Sequence, residues 1–200
     1  MSYAIVGFGK IGQALAHAFA RKNIDVTVAS RRPPEELAPQ ARAIGPAVVA
    51  KSLQDALKAD IIILAIPFGT QKEFAKVIES WKGKIVIDVT NAYGVAPEEL
   101  GNLPSSVIVS QAFPGARLVK AFNSLPAEVL AKDPNVNGGR RVIFLSSDEE
   151  ADAAEVAKLV EQLGFSPVQL GKLAEGGLLI QARGKSWAQL IFQDLVKFDD

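Results

Sequence analysis

The sequence predicts an α/β protein built as a doubly wound, three-layer sheet, mostly parallel, of about eight strands with helices on both faces. Three observations predict it. Tyr3-Ala4-Ile5-Val6 is a strand-forming run that leads straight into Gly7-Phe8-Gly9-Lys10-Ile11-Gly12, and a helical apolar stripe follows at once. A second strand pattern then completes one βαβ unit within about 30 residues. Further apolar runs alternate with helical patterns along the rest of the chain.

The G-x-G-x-x-G spacing has a physical meaning in that position, between a strand and a helix of a Rossmann-type unit. Gly7 allows the tight turn, Gly9 lets backbone approach a pyrophosphate, and Gly12 lets the helix pack on the strand. The pyrophosphate would face the helix N-terminus, where unpaired N–H groups and the dipole favour negative charge. Ile11, Leu15, Ala18 and Phe19 form the buried stripe of that helix, and His17 lies off it, facing solvent.

Asp25 to Ser30 reads as the second strand. Its end decides the nucleotide. An NAD-selective site carries Asp or Glu there to accept from the ribose 2′-hydroxyl. This chain has Ser30-Arg31-Arg32, 18 residues beyond Gly12, with no carboxylate before Glu35. A hydroxyl and two guanidiniums suit a 2′-phosphate that an acid would repel, so NADP(H) is expected.

Pro33, Pro34 and Pro39 punctuate a loop with room for one short helical turn. Val48-Val49-Ala50 is the third strand, and Ser52 caps a short helix after it. The apolar run from Ile61 to Ile66, closed by Pro67, suits a central strand buried on both faces. Thr70 is expected to cap a helix whose stripe is Phe74, Val77, Ile78 and Trp81, and Lys84 to Val89 forms the fifth strand. Asp88 is expected as a buried anchor for the loop after it. A crossover helix between Pro104 and Pro114 precedes a strand over Arg117 to Phe122, and Arg141 to Leu145 is a further strand after the turn Asn137-Gly138-Gly139. Ser147 with Glu150 predicts a capping box for a helix ending before Gly164, followed by a short strand over Pro167 to Leu170. An amphipathic segment runs on to Phe198; its Leu190, Ile191, Leu195, Val196 and Phe198 fit either the protein's own core or a homodimer partner.

Composition narrows the function. The chain has 200 residues, 48% of them hydrophobic, enough for one sizeable core, and it reads as a single dinucleotide-binding domain over residues 1–200. Lys plus Arg and Asp plus Glu number 22 each, so no basic field points to nucleic acid. With no cysteine and one histidine, thiolate chemistry, disulfides and ordinary zinc sites are excluded. The longest apolar run is far short of a membrane span, and a soluble cytoplasmic protein with no membrane partner is expected.

A carbonyl reductase needs a proton donor, commonly His, Lys or Tyr. Tyr93 is followed four residues later by Pro97 and not Lys, Tyr3 lies in the first strand, and His17 faces away. That inventory identifies no catalytic acid or base. It favours hydride transfer to a small-molecule acceptor that stabilises its own charge, such as a flavin-like ring, for which alignment and water exclusion suffice.

These residues resemble the reduced-deazaflavin:NADP oxidoreductase family, and also the reductase domain of the six-transmembrane metalloreductases. The resemblance spans nearly the whole chain and is carried by Gly7 to Gly12, Ser30-Arg31-Arg32, Ala65-Ile66-Pro67, Val119 to Ala127 and Gly171 to Gly177. It implies NADP(H) bound by backbone at Gly9, Lys10 and Ile11, with Ser30, Arg31 and Arg32 on the 2′-phosphate. It further implies Ile66 and Pro67 lining the cofactor, and Ala121, Phe122 and Asn123 near the site of hydride transfer. A deazaflavin or flavin ring, as second substrate, would lie beside Asn123 and the Leu173 to Gly177 loop. Where deazaflavin enzymes of this kind carry His after the sixth strand, this chain has Asn123. The alternative is a non-catalytic NADP(H)-binding sensor or partner module, which needs the same first half. An open, ring-sized cleft near Asn123 discriminates in favour of the enzyme.

Overall fold

The apolar runs pair side by side because each is buried on both faces. The computed structural model describes residues 1–182. In chain order it contains β1 (Tyr3–Val6), α1 (Lys10–Arg21), β2 (Val26–Ala29), α2 (Pro34–Ile44), β3 (Val48–Ala50), α3 (Leu53–Ala56), β4 (Ile61–Leu64), α4 (Gln71–Ala75) and β5 (Ile85–Asp88). A short 3-10 turn at Pro97–Leu100 precedes α5 (Ser105–Ala112), β6 (Arg117–Lys120), α6 (Ala127–Leu130), β7 (Asn135–Val136), β8 (Gly139–Arg140), β9 (Val142–Leu145), α7 (Glu150–Gln162), β10 (Ser166–Gln169) and α8 (Gly176–Leu179).

Six strands form one parallel sheet in the order β3-β2-β1-β4-β5-β6. The order reverses between β1 and β4, which opens a crevice at their carboxyl ends. β9 and β10 form a separate parallel pair, joined to β6 through an antiparallel bridge between Lys120 and Ser146. β7 and β8 make a short antiparallel ribbon around Asn137 and Gly138. The fold class is therefore the one expected, with its eight long-range strands split six and two.

Side chains alternate across the sheet. Ile5, Ile61, Ile63, Ile85, Ile87 and Val119 face the core under α1, α2 and α7. Val6, Ile62, Leu64, Val86 and Leu118 face the opposite core, with Trp81, Val109 and Phe113. Burial on both faces is what a continuous run such as Ile61–Leu64 achieves, since neither face is left to water.

Three local expectations are corrected. The stretch from Pro33 is not a loop with one turn: it opens α2, an 11-residue helix over Pro34–Ile44. Pro34 occupies the first turn, where its missing N–H costs nothing, and Leu37 and Ala41 bury its inner face. The helix expected to reach Trp81 ends at Ala75; Thr70 is its N-cap, but the Thr70 hydroxyl donates to the Pro67 carbonyl at 2.7 Å and makes no side-chain cap. Instead the Trp81 indole Nε1 donates to the Ala75 carbonyl at 2.8 Å, and its ring packs edge-on to Phe113, 4.8 Å between centroids. The Ser147–Glu150 capping box does not form. Ser147 Oγ donates to the Leu118 carbonyl at 2.8 Å, bracing β9 against β6, and α7 starts only at Glu150.

Among the described residues no helix is long and apolar enough to cross a membrane. The stripe from Leu190 to Phe198, with the dimer expectation it carries, lies outside the described residues.

Candidate functional site

The β1–α1 turn is shaped by three glycines with three different constraints. Gly7 has φ +99°, and a Cβ there would stand 2.2 Å from the Ala65 carbonyl oxygen. Its N–H donates to the Ala29 carbonyl at 2.8 Å, so the turn is pinned between β2 and the end of β4. A Cβ on Gly12 would meet the Gly7 oxygen, which is how closely α1 presses on the turn. At Gly9 a Cβ would meet nothing within 4 Å, so this residue faces open space. Phe8 is buried in the core and gives the turn only its backbone.

Gly9 is the N-cap of α1 and supplies no side-chain cap, and the first turn carries no acid. The leading N–H groups of a helix have no partner within it, so those of Lys10, Ile11 and Gly12 point towards the open face at Gly9. That cradle fits a pyrophosphate. At the end of β2, Ser30 Oγ accepts from the Arg32 N–H at 3.0 Å, folding a tight turn that leaves both guanidiniums exposed. The first carboxylates after them stand in the opening turn of α2. These residues fit the extra phosphate of NADP(H) and present nothing that would repel it.

From Ile11 a cleft of about 500 Å3 continues across the carboxyl ends of the strands. Its walls are the loops after β4 (residues 65–68), β5 (89–91 and 93) and β6 (123–126), and every side chain lining it is neutral. Ile66 and Pro67 both line it, as does Asn123. Ala121 and Phe122 do not. Both are completely buried, and the Phe122 ring stands edge-on to Phe165 with centroids 6.4 Å apart. Phe122 adopts φ +60°, a conformation rare for a bulky residue, and that reversal turns the chain out of the core so that Asn123 reaches the cleft. Its contribution to the cleft is chain direction, and its ring lies in the core.

Two asparagines close the rim. Asn123 Nδ2 donates to Asn91 Oδ1 at 3.0 Å and to the Ile180 carbonyl at 2.9 Å. In return Asn91 Nδ2 donates to the Asn123 carbonyl at 2.9 Å and to the Tyr93 hydroxyl at 3.3 Å. The Leu173 to Gly177 loop does not line the cleft, contrary to expectation. Gly176 packs against Leu170 and Ser146, and Gly177 against Ser106, so closely that a Cβ on either would collide.

Beneath the cleft lies a pair that sequence reasoning reaches only in half. Asp88 is the expected anchor: its Oδ1 accepts from the Thr90 N–H at 2.9 Å and from the Thr90 hydroxyl at 2.7 Å. Its Oδ2 accepts from Lys120 Nζ at 2.8 Å, and neither side chain is more than 1% exposed. Lys120 Nζ also donates to the Thr90 carbonyl. A signal for the pair exists in the pattern. Asp88 and Lys120 are the final residues of two apolar strands, and β5 and β6 pair them directly.

Residues 2–92 match the family described as NADP oxidoreductase, coenzyme F420-dependent. Among solved structures, a hypothetical protein SMa0349 from Sinorhizobium meliloti is 42% identical, with a TM-score of 0.87 and coverage of 94% of this chain and 93% of that one. A putative F420-dependent NADP-reductase from Arthrobacter sp. FB24 is 27% identical, with a TM-score of 0.70 and 86% of each chain covered. Metalloreductase STEAP3 of Rattus norvegicus is 26% identical over 173 residues, 85% of this chain. The chain spans only about a third of the length of the curated metalloreductases it matches, 34% in that case.

Proposed function

We propose, for a chain whose residues 2–92 match the coenzyme F420-dependent NADP oxidoreductase family, that NADP(H) lies along the β1–α1 turn and passes hydride to or from a flat ring in the adjoining cleft. The chain is an NADP-dependent oxidoreductase. Backbone at Gly9, Lys10 and Ile11 holds the pyrophosphate, and Ser30, Arg31 and Arg32 hold the 2′-phosphate. Ile66, Pro67 and Asn123 border the nicotinamide end. The acceptor is a flavin-like, deazaflavin or quinone-like small molecule.

One observation carries this reading. An open, uncharged cleft of about 500 Å3 begins at Ile11, where the phosphate cradle ends, and runs to Asn123. Bound nicotinamide supplies the hydride chemistry. The chain's own work is to align two rings between Ile66 and Asn123 and to keep water from the space between them. A ring that delocalises the incoming charge needs no nearby acid, in keeping with walls that carry no carboxyl, histidine or lysine. A sensor would have no use for ring-sized space beside Asn123, so the same cleft favours the enzyme over the binding-module alternative.

The test is calorimetry of NADPH and NADH on the purified protein, followed by NADPH oxidation with flavins, deazaflavin, quinones and ferric chelates. Preference for NADPH and turnover with at least one planar acceptor are expected. Binding without turnover on any of them overturns the enzymatic half of the proposal.

A further inference from the structure

We propose that Lys120 is a positioning residue: from under the cleft it fixes the wall that the β5 loop presents to the nicotinamide end of NADP(H). The inference rests on the reading above that this cleft takes that end of the cofactor.

Lys120 sits in direct register with Asp88 on the sheet face occupied by Val86, Leu118 and Phe113. Burying two ions there is not the most stable use of an apolar face, because desolvation offsets most of their attraction. What the pair adds is direction. Asp88 reaches up to the N–H and hydroxyl of Thr90, while Lys120 reaches across to the carbonyl of the same residue. Thr90 is thereby held by its donor and its acceptor at once, and it is a cleft residue, as are Val89 and Asn91 beside it. Backbone of Lys120 is equally committed. Its N–H donates to the Ser146 carbonyl at 2.8 Å, and its carbonyl accepts from the Ser146 N–H at 3.0 Å. The ammonium therefore hangs from a residue whose backbone is bonded to β5 on one side and to Ser146 on the other. A second tier lies above it, since Asn91 and Asn123 exchange bonds across the same two loops. The adenosine end is elsewhere: Ser30 to Arg32 follow β2, on the other side of β1 from these groups.

Two ligands separate this role from a merely structural one. NADP+ engages both ends of the site, whereas 2′,5′-ADP engages only the end at Ser30 to Arg32. Lys120→Met alone strands a buried carboxylate and risks unfolding. The comparison is therefore made on the double variant Lys120→Met/Asp88→Asn, whose new amide oxygen can still accept from Thr90. Calorimetry on this variant is expected to show NADP+ weakened about tenfold and 2′,5′-ADP bound as by the wild type. General destabilisation would move both ligands together, and that outcome overturns the proposal. So does unchanged binding of both. If the wild type itself binds neither ligand, the functional reading fails first; if it binds both and the variant does too, only the role of Lys120 fails.

Discussion

The carbonyl oxygen of Gly7 lies 1.9 Å from the point that a Cβ on Gly12 would occupy. Gly12→Ala must therefore push α1 off the turn, an overpacking cost of about 1–3 kcal/mol. A melting-temperature fall of roughly 2–10 °C and loss of measurable NADPH binding are expected. Gly9→Ala meets nothing within 4 Å and should melt with the wild type, yet it should weaken NADPH by filling the open face. Equal melting losses in the two variants would show that the turn is not built as described.

Arg31→Ala separates the two nucleotides. A charge-assisted contact is worth about 1.5–3 kcal/mol, so NADPH should bind roughly 10- to 150-fold more weakly. NADH, which lacks the phosphate, should be nearly unaffected. Parallel losses for both in calorimetry would remove Arg31 from the 2′-phosphate site.

Asn123→Asp places a carboxylate where an amide donates to Asn91 Oδ1 and to the Ile180 carbonyl. Acceptor then faces acceptor in a residue only 4% exposed. At neutral pH the variant should lose about 1–3 kcal/mol. The new carboxyl would have a raised folded pKa, so the penalty applies in full above that value and shrinks as the proton returns in acid. Thermal melts across pH, with the gap to wild type narrowing towards about pH 4, check the sign.

At the amino ends of β1 and β4 the sign reverses. Hydrogen bonds from the Ser2 backbone N–H and then from its hydroxyl, at 2.8 and 2.9 Å, hold the Asp60 carboxyl below its ordinary value of 3.8. Stability from a depressed carboxyl is complete above the ordinary value and disappears as pH falls through the folded one. Asp60→Asn should thus melt a little below wild type at pH 6, and the two curves should converge as pH falls from the ordinary value of 3.8 through the lower folded one. A difference that persists in stronger acid would assign the effect to something other than this ionisation.

Much of the architecture is legible because its signals are local. Ile61–Leu64 is apolar on successive residues, which only a strand covered twice can tolerate, and Gly7 to Gly12 follows a strand as the turn requires. Local rules fail where a distant group displaces them. Ser147 has cap chemistry, but the Leu118 carbonyl claims its hydroxyl. Trp81 has helical spacing from Phe74, but its indole binds the end of the helix from outside. At the candidate site, position at a strand end is enough to place Ile66, Pro67 and Asn123. The same rule does not foresee the turn at Phe122, because nothing in its neighbours announces a positive φ. Lys120 reads in the sequence as one polar residue within the strand expected over Arg117 to Phe122, and only the register of β5 against β6 reveals its partner.

Few polar contacts join β9 and α7 to β6: the Lys120–Ser146 bridge, the Ser147 hydroxyl on Leu118, and the fork of Arg117 on Asp152 and Glu155 of α7. Native proteins open along such seams before they unfold as a whole, in cooperative units that amide exchange can resolve. Residues 142–169 form one candidate unit, with β9 and β10 paired to each other and α7 packed upon them. Each opening would release the backbone of Lys120 and so slacken the floor beneath Thr90, while the turn at Ser30 stayed shut. Exchange at the nicotinamide end should therefore keep time with the β9–β10 unit, and exchange at the adenosine end should follow a slower clock of its own.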